Sequence, residues 1–174
     1  RIDLAGGLHA LDHGGIVTVV DPLPYMTYQP FLPEVAGGQI EPRHAVVSHR
    51  QHLKHAELIN GRVSAIDHKN NKAVIVPVAG EPFEIEYRDV VMAAGAITRT
   101  FPIPGLADTG IGLKTIEEAV ALRNKILERI ESASLMTDAA ERKRALTFVV
   151  IGGGFAGIET IAEIEDMARH AAKL

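Results

Sequence analysis

The sequence predicts an α/β fold built on two buried runs as central parallel strands, and three observations carry that prediction. Two runs, Ile16-Val17-Thr18-Val19-Val20 and Leu146-Thr147-Phe148-Val149-Val150-Ile151, are apolar and largely β-branched, with no polar alternation. That is the pattern of strands covered on both faces. The second run passes through Gly152-Gly153-Gly154 into a helix-like stretch, which is the strand–loop–helix opening of a βαβ unit. Between the two runs, residues 57–93 read as a series of short strands.

Bulk composition narrows the class. The chain has 174 residues, 47% of them hydrophobic, enough for one domain or for one and a part with a sizeable core. The net charge is −4 and no long basic run occurs, which excludes a surface made to neutralise nucleic-acid phosphates. There is no Cys, so a disulfide scaffold, a Cys-ligated zinc site and a dithiol redox centre are excluded for this segment. No apolar run approaches the ~20 residues that span a bilayer. The chain opens on Arg1 rather than Met, and a preceding segment is expected.

Each element has a local reason. Leu4, Leu8 and Leu11 fall at helical spacing before Gly14-Gly15, which predicts a short helix there. Residues 22–42 hold Pro22, Pro24, Pro30, Pro33 and Pro42 among several aromatics and read as loop plus a short helix. Residues 43–55 read as helical. Strands are predicted over 57–60, 62–67, 73–76, 83–87 and 90–93, with turns at Asn70-Asn71 and Gly80-Glu81-Pro82. Pro102, Pro104 and Gly105 suggest a boundary. Thr115 and Glu118 have capping-box spacing. Ile116, Ala119, Val120, Ile126, Leu127 and Ile130 then share one face of a long helix. Residues 138–146 read as a short charged helix or link, and 155–172 as the helix after the glycine loop.

Gly152, Gly154 and Gly157 fit G-x-G-x-x-G. The first glycine permits the tight turn, the second lets backbone approach a pyrophosphate, and the third lets helix and strand pack closely. The helix start then offers free N–H groups and a positive dipole end to phosphate. A glycine-rich turn without a ligand is the alternative. The acid or base that separates NAD from NADP lies about 20 positions further on, past Leu174.

Asp21 ends the first strand, where a carboxylate can accept hydrogen bonds from a ribose diol. It also precedes Pro22, and Asp-Pro commonly starts a turn. Local pattern leaves both readings open. Glu159 is placed in the first turn of its helix, where a carboxylate favours the dipole. His49, His52 and His55 recur every three residues and read as solvated surface histidines rather than metal ligands. Tyr25, Tyr28 and Phe31 read as core aromatics, with flavin lining as the alternative. Glu141-Arg142-Lys143-Arg144 reads as a solvated face. No G-x-S-x-G is present, so nothing supports a hydrolase of the nucleophile-elbow type.

Four passages together resemble the pyridine-nucleotide–disulfide oxidoreductases and, within them, the type II NADH dehydrogenases, which pass electrons from NADH through FAD to a quinone. They are Val17–Pro22, residues 28–38 (Tyr-Gln-Pro-Phe-Leu-Pro-Glu-Val-Ala-Gly-Gly), residues 87–96 (Tyr-Arg-Asp-Val-Val-Met-Ala-Ala-Gly-Ala) and residues 148–159 around the glycine loop. The resemblance covers roughly residues 16–174. It implies two Rossmann-like dinucleotide-binding units of the three-layer ββα type: part of an FAD domain over 1–106 and the start of an NAD(P)H domain over 107–174. It implies FAD contacts at Asp21, Gln29, Pro30, Val63, Ala94 and Gly95, and NAD(P)H contacts at Gly152, Gly154, Phe155 and Gly157. It implies Glu159 as the glutamate near nicotinamide and quinone. The partner implied is a quinone, with peripheral contact on the cytoplasmic face of a membrane and a homodimer. Ala94 stands where the family has Thr, and Ile158 where it has Val. The family's N-terminal FAD glycine loop and its distal half have no counterpart here, so this segment alone is expected to be inactive. A reductase of a soluble electron-carrier protein, or a non-catalytic NAD(H)-sensing domain, are the alternatives.

Overall fold

The computed structural model describes residues 15–173; the helix expected around Leu4–Leu11 lies outside them. The chain is mixed α/β and divides into two compact units. Among the described residues, one takes in 15–26 and 47–95, the other 27–46 and 96–173. The segment around Gln29 therefore packs with the second half of the chain, although the expected domain boundary at 106/107 assigns it to the first.

The first unit is a four-stranded sheet in the order β1-β4-β5-β6, formed by β1 (Val17–Asp21), β4 (Ala56–Asp67), β5 (Lys72–Pro77) and β6 (Phe83–Glu86). β1 runs parallel to β4, with Val17 opposite Ala56 and Asp21 opposite Asn60. β4 then continues past Gly61 and pairs antiparallel with β5, with a register shift between Val63 and Ala65. Thus the two strands predicted over 57–60 and 62–67 are one long strand that changes partner midway. Asn71 makes the β4–β5 turn with φ of 56°, a left-handed conformation that Asn tolerates better than most residues. Ile75 and Ala73 are the buried residues of β5.

Residues 43–55 depart from the predicted helix. They form a 3-10 turn (Pro42–His44), the short strand β3 (Val46–Ser48) and a single helical turn α2 (His49–His52). β3 pairs with β2 (Tyr25–Thr27). The β-branched pair Val46-Val47 had a strand to join, and tertiary pairing outweighs weak helix propensity.

The second unit is helical. It holds α1 (Leu32–Ala36), the one-turn α3 (Leu106–Thr109), α4 (Ile116–Ser134), α5 (Ala139–Ala145) and α6 (Phe155–Ala171). The capping box forms as predicted. Glu118 N donates to Thr115 Oγ1 at 3.2 Å, and Thr115 N to Glu118 Oε2 at 3.1 Å. Asp138 caps α5 by accepting from Ala140 N and Glu141 N, so of the two readings of this charged segment the short helix is the one that forms. Ile126 of α4 packs with Ile164 and Met167 of α6, and Leu122, Ile130 and Phe148 close around them. Leu32, Val35 and Ala36 of α1 are fully buried.

Two expectations need correction. β1 is parallel but not central: among the described residues its only ladder partner is β4. Residues 146–151 and 90–93 form no strand at all. Their composition suits a buried strand, yet a strand exists only where a second backbone offers a ladder. No described segment pairs with either, and Val149 and Val91 stand 77% and 88% exposed. Among the described residues no helix is long and apolar enough to cross a membrane.

Candidate nucleotide sites

The glycine loop leads directly into α6, whose N-cap is Gly154 with no side-chain cap. Gly154 O accepts from Gly157 N and Ile158 N at 3.0 and 3.1 Å. The N–H groups of Phe155 and Ala156, two residues earlier, belong to the helix-start donors that have no carbonyl to meet inside the helix. Two of the three glycines are required by the protein itself, for different reasons. Gly152 has φ of 123°, a conformation that L side chains rarely adopt. A Cβ on Gly157 would lie 2.1 Å from Gly152 O, so the close fold of helix onto turn excludes one. A Cβ on Gly154 would meet no atom within 4 Å. Nothing in the protein demands glycine there, whereas a pyrophosphate lying over the loop would. The loop thus fits a dinucleotide: open above, with unpaired N–H groups at a helix start.

Beside this loop, in the same unit, a cleft of about 370 Å³ is lined by Gln29, Pro30, Leu32, Pro33, Leu113, Lys114, Phe155, Ala156 and Glu159. Four of the predicted site residues therefore meet in one place: Gln29 and Pro30 from the proline-rich segment, Phe155 and Glu159 from α6. Gln29 is fixed by its amide, since Nε2 donates to Lys114 O at 3.2 Å. Lys114 is in turn held where its N–H donates to Glu118 Oε2 at 2.6 Å. The capping box of α4 thereby positions one wall of the cleft. Phe155 is 91% exposed, a large apolar surface available for a flat ring to cover.

Glu159 is the fifth residue of α6, so the expected first-turn placement is corrected: no acidic residue occupies that turn. The dipole interaction fades beyond the first turn, which weakens the structural explanation of this carboxylate. Tyr28 and Phe31 are also not core. They form an edge-to-face pair with centroids 4.8 Å apart and remain partly exposed. Sequence reasoning missed Lys114; its place just ahead of the Thr115–Glu118 capping box was the available signal.

In the first unit, Asp21 sits where β1 ends, at the C-terminal edge of the parallel pair, the side of such sheets that receives ligands. Its Oδ1 accepts from Leu23 N at 2.8 Å. Its Oδ2 meets His49 Nε2 at 3.2 Å. The turn reading is therefore correct as far as it goes. A carboxylate offers about four acceptor directions, so two remain, and the side chain is 37% exposed. The donor requirement of a ribose diol fits what is left. His49, read from the sequence as a solvated surface residue, has Asp21 as its partner instead. His52 bonds back to Ser48 O. No group of three or more metal-binding side chains occurs among the described residues. Val63 lies at the register shift of β4 and is partly exposed. Ala94 and Gly95 are exposed in the unpaired segment after β6, Gly95 with φ of 70°.

Comparison with known proteins joins these features. The external NADH-ubiquinone oxidoreductase 2 of Saccharomyces cerevisiae mitochondria is 35% identical over 158 residues, 86% of this chain and 29% of that protein. The type II NADH:quinone oxidoreductase NdhA of Mycobacterium tuberculosis is 34% identical over 159 residues, 88% of this chain and 33% of its own length. The structure of NDH2 from Plasmodium falciparum in complex with NADH superposes with a TM-score of 0.80 at 26% identity, covering 91% of this chain and 33% of that one. The chain spans about a third of the length of the relatives it matches. The family model described as pyridine nucleotide-disulphide oxidoreductase matches residues 4–173. The chain belongs to the pyridine nucleotide-disulphide oxidoreductase family.

Proposed function

We propose that this chain is a segment of an FAD-dependent NAD(P)H:quinone oxidoreductase of the type II kind. The observation that carries the reading is the meeting of Gln29 and Pro30 with Phe155 and Glu159 in one cleft. The first pair belongs to the passage that resembles the flavin segment, the second to the nicotinamide loop. When bound, flavin and nicotinamide supply the hydride chemistry. The chain supplies binding and orientation. Gly152, Gly154 and Gly157 with the N–H of Phe155 hold the NAD(P)H pyrophosphate. Asp21 accepts from the FAD ribose, with Val63, Ala94 and Gly95 along the same cofactor. Residues 1–106 belong to the FAD part and 107–174 to the NAD(P)H part. Glu159 presents a carboxylate to the reacting groups and can hold or pass a proton there.

In this reading a quinone accepts the electrons, and the whole protein lies peripherally on the cytoplasmic face of a membrane as a pair of copies. The 174 residues alone do not turn over. The test is NAD(P)H oxidation by the whole purified protein with a short-chain ubiquinone analogue and, separately, with an iron–sulfur carrier protein. A flavin absorption spectrum with quinone-dependent turnover is expected. Carrier-only turnover would move the reading to a carrier-protein reductase, and absence of flavin to a nucleotide sensor.

A further inference from the structure

We infer that His49 is a positioning residue for the FAD ribose, acting through Asp21; this rests on the reading of Asp21 as the ribose acceptor. A carboxylate at the end of a strand, followed by Pro22, can rotate. Only some orientations turn its free lone pairs outward. Here both oxygens are held. The Leu23 N–H fixes Oδ1 at 2.8 Å, and His49 Nε2, donating, fixes Oδ2 at 3.2 Å.

His49 is itself well placed to do this. Its own N–H donates to Pro24 O at 3.1 Å, which ties the start of α2 to the turn after β1. Its side chain is 14% exposed and backs onto a cavity of only about 10 Å³ lined by apolar groups such as Val19 and Leu58. That leaves the ring little freedom to swing away. A carboxylate fixed before the ligand arrives loses less freedom on binding, so the ligand binds more tightly.

His49→Phe keeps a ring of similar size and removes the donor; His49→Gln keeps an N–H near the position of Nε2. The readout is the FAD dissociation constant of the whole protein, measured by quenching of flavin fluorescence on titrating FAD into apoprotein, beside thermal unfolding of the apoprotein. Asp21→Ala serves as the reference. The expected result is about three- to tenfold weaker FAD binding for His49→Phe, the cost of ordering one released side chain on binding. His49→Gln should restore binding to within about twofold, and apoprotein unfolding of His49→Phe should fall by no more than the loss of that one internal hydrogen bond. If Asp21→Ala weakens FAD binding while His49→Phe leaves it at the parental value, the positioning role is overturned and the ribose reading stands. If His49→Phe and His49→Gln weaken it equally, ring packing and not the donor matters, and the role is again overturned. If Asp21→Ala leaves FAD binding unchanged, the ribose reading fails and takes this inference with it.

Discussion

The two β-branched runs are nearly interchangeable as sequence, yet they end differently. Val17–Asp21 is a strand because Ala56–Asp67 lies beside it in parallel register. Residues 146–151 have no such neighbour among the described residues and carry their apolar side chains largely in the open. The ends proposed to receive ligand differ as well. At the first, the proposed recognition group is a side chain, braced by Leu23 and His49. At the second, it is proposed to be backbone, with a requirement for the absence of side chains. Strand composition thus marks a segment able to pair, while the pairing itself depends on the rest of the sheet.

The sharpest test of the backbone end sets Gly154 against Gly157. Gly154→Val in the whole protein should weaken NAD(P)H binding on the order of a hundredfold, the upper range of overpacking at a tight contact. Unfolding and FAD content should stay near the parental values, because beyond the glycine and its chain neighbours no described atom lies within 4 Å of that Cβ position. Gly157→Val should instead lower stability itself, since its Cβ would collide with Gly152 O. Calorimetry and NADH titration on both variants read the difference. If Gly154→Val lost FAD and kept NADH, the two ends would have been assigned the wrong way round.

At the side-chain end, Asp21→Ala should weaken FAD binding by about 1.5–3 kcal/mol, the value of hydrogen bonds to a charged group. Flavin retained after prolonged dialysis reports it. Full retention would leave Asp21 as a turn residue serving Leu23 and His49.

Legibility in the sequence followed the same division. The glycine loop, the capping box and the turn at Asn70-Asn71 are set by neighbours a few residues away, and all three formed where the pattern placed them. The partner change along β4, the strand β3 in place of helix and the missing ladder at 146–151 depend on segments distant in the chain, which local pattern does not encode. The site divides likewise. Gln29, Pro30, Phe155 and Glu159 were marked individually. Their meeting with Lys114 in one cleft, and the pairing of His49 with Asp21, required the fold.

Glu159 offers a test of intermediate size. In the second turn of α6 it gains little from the helix dipole, so Glu159→Gln should leave unfolding unchanged. Flavin reduction by NADH, or reoxidation by quinone, should slow at least about threefold if the carboxylate serves the reacting groups. Rapid-mixing measurement of each half-reaction identifies the step. Parental rates in both halves would remove Glu159 from the site.

The smallest expected effect lies further along the same helix and asks whether α6 can be altered without touching its loop. Glu163 has its carboxyl pushed above the usual value of 4.5, first by desolvation, then by the nearby charges of Glu34 and Asp166. Glu34 adds to the crowding, because its Oε2 is buried without a partner among the described residues. The sign follows from linkage. Between the ordinary carboxyl value and the raised one, the folded state holds more protons than the unfolded state, so stability falls as pH rises through that window. The favourable contribution is complete below the ordinary value and lost once Glu163 ionises in the fold. Glu163→Gln removes the charge, so the variant should exceed its parent in stability at pH 7 and match it near pH 4. The gain is about 0.2–1 kcal/mol, because solvent screens a group so near the surface. NADH affinity should not change, since the substitution lies two turns beyond the loop. Thermal unfolding at the two pH values measures the gain. An equal gain at both would show that the hydrogen bonding of the side-chain end, and not its charge, governs this end of the helix.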